Sequence, residues 1–154
     1  MIDGLGLKRF SGRELALEQL RSVARRLHGS DGWLEQCSLS GRPPQWRICF
    51  QGREIAEWLP NRGRFAFRAG GLSFLAGTKA FPVVELTNDS VLRGDVFAGM
   101  VLSAPVNLRR GQDVILECDG HVVGMGRIVA PGWEFARTPG VQVKVTRRVS
   151  STSL

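Results

Sequence analysis

The sequence predicts an α+β protein in which a mixed N-terminal half packs against a small C-terminal β-barrel. One amphipathic helix lies near the N-terminus, and short apolar segments separated by glycines fill most of the second half. No linker rich in proline or serine separates the two parts, so we expect them to pack together. The predicted units are an N-terminal domain over residues 1–79, a barrel over residues 80–146 and a flexible tail over residues 147–154.

The first predicted element is a helix that begins after Ser11. Ser11 and Glu14 have the spacing of a capping box, in which each side chain satisfies a free backbone N–H of the other. Apolar residues then recur at helical spacing, at Leu17, Leu20, Val23, Ala24 and Leu27. Gly29 is a natural end for the helix. We interpret His28 as a last-turn residue that complements the helix dipole, rather than as a catalytic group.

Short elements are predicted between this helix and the barrel. Residues 33–39 and 46–51 are expected to be a pair of strands, and residues 53–59 a short helix. Apolar residues from Phe65 to Phe74 are interrupted by Gly70-Gly71, which predicts a strand, a bend and another strand. The tryptophans within these periodic segments are expected to lie in the core.

The second half alternates apolar strands with turns at close intervals, as in a small closed β structure. The predicted strands are residues 81–87, 100–103, 113–118, 121–129 and 141–145. A single helical turn is expected at residues 88–92, and Asp119-Gly120 predicts a tight hairpin. Arg109 and Arg110 are placed at a loop tip. Gln142 alternates with valines in the last strand, which predicts that it faces away from the core.

The chain is strongly basic, and its charge is unevenly distributed. The formal net charge is +7, with 13 basic against 7 acidic residues in residues 1–80 and 8 against 7 in residues 81–154. Such a surface favours a polyanionic partner, because basic side chains gain affinity for phosphates by releasing counterions. The alternative is a basic surface without such a partner. We expect Arg21, Arg25 and Arg53 in the first half to contact a phosphate backbone.

Several functional classes are disfavoured by what the sequence lacks. Three widely spaced cysteines and two histidines give no metal-binding pattern, and no glycine loop is placed to cradle a cofactor. No nucleophile and base pair stands out, so we expect no catalytic residue, cofactor or metal. No apolar segment approaches the roughly 20 residues that span a bilayer, and the N-terminus lacks signal-peptide order. A cytoplasmic protein with no membrane partner is expected.

The motifs of the second half occur in a recognisable order. They are the strand at residues 81–86, Leu92-Arg93-Gly94 with Val96-Phe97 and Gly99, Gly111 to Val114, and Gly124 to Arg127. This order over residues 81–146 resembles the PUA domain, the RNA-binding β-barrel of pseudouridine synthases and archaeosine transglycosylases. The resemblance implies RNA-binding positions at Arg93, Gly94, Asp95, Phe97, Gly126 and Arg127. For Phe97, stacking on a base and filling of the barrel are both open.

We therefore expect a non-catalytic protein that binds structured RNA, tRNA or rRNA, as an accessory to RNA modification or ribosome biogenesis. Arg109 and Arg110 join the candidate RNA contacts, and an RNA-modifying enzyme or ribosome-assembly factor is a possible partner. The alternative is a protein-interaction subunit that supplies a PUA-like module to a separate RNA-modifying enzyme. A third hypothesis, a small enzyme acting on a nucleotide or modified base, requires a deep polar pocket beside Arg93 or Arg127.

Overall fold

The computed structural model describes residues 12–87, 94–130, 134–135, 137 and 139–149. These residues contain two α-helices and ten strands, and the strands form two sheets. In chain order the elements are α1 (Gly12–His28), β1 (Ser38–Arg42), β2 (Gln45–Phe50), β3 (Arg53–Leu59), β4 (Arg64–Phe67), α2 (Leu72–Gly77), β5 (Val83–Leu86), β6 (Val96–Phe97), β7 (Val101–Ser103), β8 (Asp113–Cys118), β9 (His121–Ile128) and β10 (Val141–Arg148). Ser11 of the predicted capping box and the helical turn predicted at residues 88–92 lie outside the described residues.

The first sheet is an antiparallel meander in the order β1-β2-β3-β4. Residues 53–59 are a strand in it, so the helix predicted there is wrong. The reason is the tight turn at Gln51-Gly52, where both residues have positive φ (50° and 79°), as a two-residue hairpin requires. A β-bulge at Ile55 of β3, opposite Ile48 and Cys49 of β2, buries both Ile55 and Ala56 and breaks the alternation that marks a strand.

Two other short segments also differ from prediction. Gly32–Leu34 is a turn of 3₁₀ helix rather than the start of a strand, and it buries Trp33 and Leu34 completely. Leu72–Gly77 is helix α2 rather than a second strand after the glycine bend. Leu72 and Leu75 are both buried one helical turn apart, whereas Phe74 is only half-buried. The alternation of apolar residues that ends at Phe74 therefore does not mark a strand.

The second sheet is a nearly closed mixed barrel in the order β6-β10-β9-β8-β5-β7. β5 and β8 are parallel, and the other pairs are antiparallel. The edge strands β6 and β7 follow each other through the 3₁₀ turn Ala98–Met100, which brings the two edges of the sheet together. The predicted hairpin at Asp119-Gly120 is confirmed, since both residues have positive φ (52° and 77°).

The closing strand β10 corrects two predictions. Gln142 is fully buried rather than solvent-facing, because the register of β10 against β6 shifts between Val141 and Val143. Its amide nitrogen donates to the Gly140 carbonyl at 3.1 Å. The strand continues to Arg148, and Val149 is buried with its N–H bonded to Val123, so residues 147–149 do not form a tail.

Buried apolar residues form two clusters, one inside the barrel and one that joins the two sheets. Buried residues of α1 and the first sheet pack in one cluster with Ile115, Met125 and Val149 from the second half. At its centre, aromatic rings of Trp33, Phe65, Phe67 and Phe81 surround His28. His28 lies in the last turn of α1, as predicted, but its side chain is only 1% exposed and packs in this core. In the described part of the chain, no helix is long and apolar enough to cross a membrane.

Candidate nucleic-acid interface

A cleft of about 270 Å³ lies where the first sheet meets the barrel. One wall comes from β4 and the turn before it, and the other from β8, β9 and β10. We call it the basic cleft. The residues that line it are Leu59, Arg62, Arg64, Phe65, Ala66, Phe67, Asp113, Arg127, Lys144, Val145, Thr146 and Arg147.

The lining is dominated by positive charge. Its basic residues are Arg62, Arg64, Arg127, Lys144 and Arg147, and Asp113 is the one carboxylate among the described lining residues. The first sheet supplies two of these cations and the barrel three. Because cations from two walls converge on one concave space, the cleft concentrates positive potential beyond what either sheet would produce alone.

A row of charged side chains crosses three strands of the barrel. Asp113 on β8 pairs in register with Arg127 on β9, and Arg127 pairs in register with Lys144 on β10. Arg127 therefore has an opposite charge on one side, with 4.0 Å between its Nε and Oδ1 of Asp113, and a like charge on the other. Like charges directly opposite in an antiparallel pair destabilise a sheet. A bound anion between Arg127 and Lys144 would relieve that repulsion.

Arg64 completes the opposite wall. Alternation along β4 buries Phe65 and Phe67 in the aromatic core and leaves Arg64 half-buried at the start of the strand. Burial, followed by the charges of Arg127 and Arg62, lowers the pKa of the Arg64 guanidinium from its ordinary value, and Asp113 opposes this effect. The guanidinium stays charged, and although burial is the larger cause of the shift, the contributions of Arg127 and Arg62 show that like charges lie near Arg64.

Two contacts between the halves hold the cleft in shape. The Arg147 Nε donates to the Phe67 carbonyl at 2.8 Å and so ties β10 to β4. On the other side His28 Nε2 lies 2.9 Å from Oδ2 of Asp113, while Nδ1 of His28 has no partner among the described residues. These contacts favour the tautomer that donates from Nε2 to the Asp113 carboxylate, since an Nδ1–H would be a buried donor without a partner among the described residues.

Glycines of β9 bring β10 close to this row of charges. A Cβ at Gly126 would lie 2.4 Å from Val143 Cγ1 and 2.9 Å from the Lys144 carbonyl oxygen, and one at Gly124 would lie 2.6 Å from the Arg147 carbonyl oxygen. Gly126, predicted to contact RNA, is thus buried at a packing position between strands. Its effect on the site is to seat Lys144 beside Arg127.

Of the other positions that the PUA resemblance implied, the three that the structure describes, Gly94, Asp95 and Phe97, do not line the cleft. Arg93 lies outside the described residues, and Gly94 lies beside Asp95 at the entry to β6. The Asp95 carboxylate accepts a hydrogen bond from the Val145 N–H at 2.9 Å, which fixes β10 next to Lys144. Phe97 is 50% exposed, while Val96 is buried, so Phe97 does not fill the barrel. Its ring is free to stack.

The remaining predicted arginines are not part of the cleft lining. Arg109 and Arg110 are exposed at the predicted loop tip before β8. Arg53 donates to the Gly70 carbonyl at 3.3 Å in the first half. Arg21 and Arg25 both bind Oδ2 of Asp31.

The shared carboxylate limits what Arg21 and Arg25 can offer to a phosphate. Although burial opposes the effect, hydrogen bonds and charge from Arg21 and Arg25 hold the pKa of Asp31 below its ordinary value. Asp31 is therefore ionised at neutral pH and partly neutralises both arginines. They lie on the same helix face as His28, at spacings of four and three residues, but an anion must compete with Asp31 for them.

Of the cleft cations, only Arg127 was predicted as a site residue. Arg62, Arg64, Lys144 and Arg147 were missed, because the cleft exists only where two separately predicted sheets meet. One sequence signal was available. Arg62 and Arg64 flank Gly63 after Pro60-Asn61, a composition typical of a turn, and turns lie at the surface, where both arginines can meet a ligand.

Comparison with known proteins shows similarity in structure. No family model and no curated protein sequence matches the chain. A PUA domain from Aeropyrum pernix K1 superimposes with a TM-score of 0.68 at 16% identity, over 95% of this chain and 88% of that one. A PUA domain protein from Thermoplasma acidophilum gives 0.64 at 14% identity, over 91% and 92%.

A third structure extends this similarity to a longer protein. AF0587, a protein of unknown function, gives a TM-score of 0.72 at 20% identity, over 93% of this chain. The chain spans half of the length of that protein. In these three superpositions the match covers more than nine-tenths of this chain, so it includes the helical first half as well as the barrel. The chain therefore has a PUA-like fold.

Proposed function

We propose that the chain binds structured RNA without catalysing a reaction on it, and that the basic cleft is the centre of the RNA interface. The observation that carries the proposal is the convergence of five basic side chains and one carboxylate between the two sheets. The PUA-like fold supports it, because this fold implies RNA as the polyanion. Exposed Phe97 and the arginines of the 109–110 loop offer further contacts on the barrel.

The chemistry of the lining supports binding rather than catalysis. Its described ionisable groups are four arginines, one lysine and Asp113. Arginine and lysine here are charged anion ligands rather than bases, and the Asp113 carboxylate is engaged by His28 and Arg127. A general base needs a carboxylate free to face the substrate. We propose tRNA or rRNA as the target, with an RNA-modifying enzyme or ribosome-assembly factor as partner and the cytoplasm as location.

The experiment is a salt titration of binding to tRNA and to rRNA fragments. If Arg62, Arg64, Arg127 and Lys144 each neutralise one phosphate, log K should fall with log salt concentration with a slope of about −3 to −4. At low salt we expect a Kd below about 1 µM. A Kd weaker than this, or a slope near zero, would overturn the proposal.

A pair of matched variants separates the cleft from general surface charge. Lys144→Gln removes a cleft cation, and Arg42→Gln removes an exposed cation at the end of β1, outside the cleft lining. We expect Lys144→Gln to weaken binding and to flatten the salt slope by about 0.7–0.9. Arg42→Gln should have a smaller effect. Equal effects of the two substitutions would show that the chain binds RNA by its overall charge rather than through the cleft.

A further inference from the structure

We propose that the basic cleft is a subsite for a phosphomonoester, the terminal phosphate of an RNA strand or of a free nucleotide, rather than one more contact along a continuous backbone. The proposal deepens the proposed function and rests on it for the RNA source of the ligand. It is carried by the size of the cleft, the convergence of its cations from two walls and the free donors that those cations present.

The size of the cleft fits one phosphate with its sugar. Its volume of about 270 Å³ lies just below the roughly 300–1,000 Å³ of small-molecule pockets. A phosphodiester backbone must enter and leave a groove, whereas a chain end enters once. Here β4 forms one wall and β9 and β10 the other, and Arg147 bonded to Phe67 joins the two walls. This geometry suits an end better than a through-going strand.

The donors of the cleft are available to an anion. Within the described part of the chain, the side chains of Arg62, Arg64 and Lys144 donate no hydrogen bond and form no ion pair. Arg127 has only the long contact to Asp113, at 4.0 Å. Guanidinium groups present paired N–H donors that match phosphate oxygens. A monoester offers three terminal oxygens, so donors from both walls can reach it at once.

The charge balance also favours a dianion. Five cations face a single carboxylate among the described lining residues. A phosphodiester brings one negative charge, and a phosphomonoester brings about 1.5 to 2 at neutral pH. The Arg127 and Lys144 pair, directly opposite in register, gains most from the larger charge. Binding should therefore discriminate between a terminal phosphate and a terminal hydroxyl.

The test compares one short oligoribonucleotide in three forms, with a 5′-phosphate, with a 3′-phosphate and with hydroxyls at both ends. Fluorescence anisotropy measures their affinities for the full chain. Adenosine monophosphate and adenosine serve as competitors. We expect a terminal phosphate to raise affinity about tenfold, and adenosine monophosphate to compete while adenosine does not. Competition by the monophosphate as strong as by the phosphorylated RNA identifies free nucleotide as the source, and much weaker competition identifies an RNA end.

Three variants test whether the affinity gained from a terminal phosphate depends on the cleft. In Lys144→Gln and in Arg64→Gln the phosphate-to-hydroxyl affinity ratio should fall to about twofold or less, whereas Arg42→Gln, which removes an exposed cation of β1 outside the cleft lining, should retain it. The ratio is taken within each variant, so a partly unfolded preparation lowers both affinities and leaves the ratio interpretable. A ratio retained in both cleft variants overturns the inference.

The outcomes separate this inference from the proposed function. Salt-dependent RNA binding with no preference for a terminal phosphate overturns the inference and leaves the proposed function standing. Binding of adenosine monophosphate, sensitive to Lys144→Gln but without measurable RNA binding, supports the inference and overturns the proposed function. Absence of binding to either ligand overturns both.

Discussion

Substitution of Asp113 by asparagine should strengthen RNA binding while weakening the fold. Asp113 is the one carboxylate among the described residues of the basic cleft, and it also accepts the buried hydrogen bond from His28 across the two halves. The loss of its charge should therefore raise the affinity for RNA and lower the stability of the fold. Asparagine keeps the size of the side chain and an acceptor oxygen, but it removes the charge. The substitution therefore isolates electrostatics from packing.

The gain in binding follows from Coulomb's law. Arg127 Nε lies 4.0 Å from Asp113, so a phosphate on the far side of that guanidinium lies roughly 6 Å from the carboxylate. At that distance, a unit repulsion is about 0.7 kcal/mol in bulk water and about 2.8 kcal/mol at an effective dielectric constant of about 20, and we take about 1 kcal/mol, close to the solvated limit. Its removal should tighten the Kd for RNA about fivefold at low salt, and less as salt screens the interaction.

The loss in stability follows from the same residue. The 2.9 Å contact with His28 is a charge-assisted hydrogen bond, and the Asp113 side chain is 13% exposed. A neutral acceptor makes a bond weaker by about 1 kcal/mol, which lowers the Tm of a chain of this size by roughly 3 °C. Thermal melting followed by circular dichroism measures the loss of stability. Fluorescence anisotropy with labelled tRNA measures the gain in RNA affinity.

Glu117→Gln is the matched control. Glu117 lies on the same strand, β8, and is half-buried, but it does not line the cleft. The Glu117→Gln variant should bind RNA with an affinity within about twofold of that of the unsubstituted chain. If Asp113→Asn weakened RNA binding, or if Glu117→Gln strengthened it as much, the assignment of the cleft as the anion site would be refuted.

Three further predictions follow from single positions. Gly126→Ala should destabilise the chain by about 1–3 kcal/mol in urea unfolding, because its Cβ would lie 2.9 Å from the Lys144 carbonyl oxygen. An unchanged free energy of unfolding would contradict the close approach of β9 and β10 at this residue. Burial, with a contribution from Cys49, raises the pKa of Cys37 to about 11, so at pH 8 Cys37 should be a thiol that alkylates more slowly than half-buried Cys49 in peptide mapping. Phe97→Ala should weaken single-stranded RNA binding by about 1–3 kcal/mol with little change in Tm, whereas a large fall in Tm would place the ring in the core after all.

The sequence predicted the elements whose signals are local. Helix α1 and the Asp119-Gly120 hairpin formed as expected, because helical periodicity and turn chemistry are set by neighbouring residues. Residues 53–59 and 72–77 were assigned the wrong type. A bulge at Ile55 of β3 placed two adjacent residues of that strand in the core, and helix α2 is too short for its period to show against an apolar background. Pairing with β2 and β4 decided the first of these segments.

The cleft was predictable only in part. Arg127 was found because it belongs to a motif of the barrel strand, whereas Arg64 and Lys144 are far apart in sequence and meet only across the interface of the two sheets. His28 was interpreted from its position at a helix end. Its contact with Asp113 depends on the packing of α1 against β8, which no periodicity in either segment reveals.

The most direct test of the account is the location of bound RNA on the protein, measured as perturbation of backbone amide NMR signals during an RNA titration. The account predicts that the largest shifts fall on residues 62–66, 126–127 and 144–147, the segments that meet at the basic cleft. Smaller shifts should appear at Phe97 and at the 109–110 loop. Shifts confined to that loop or to the face of α1, with the cleft segments unchanged, would contradict it.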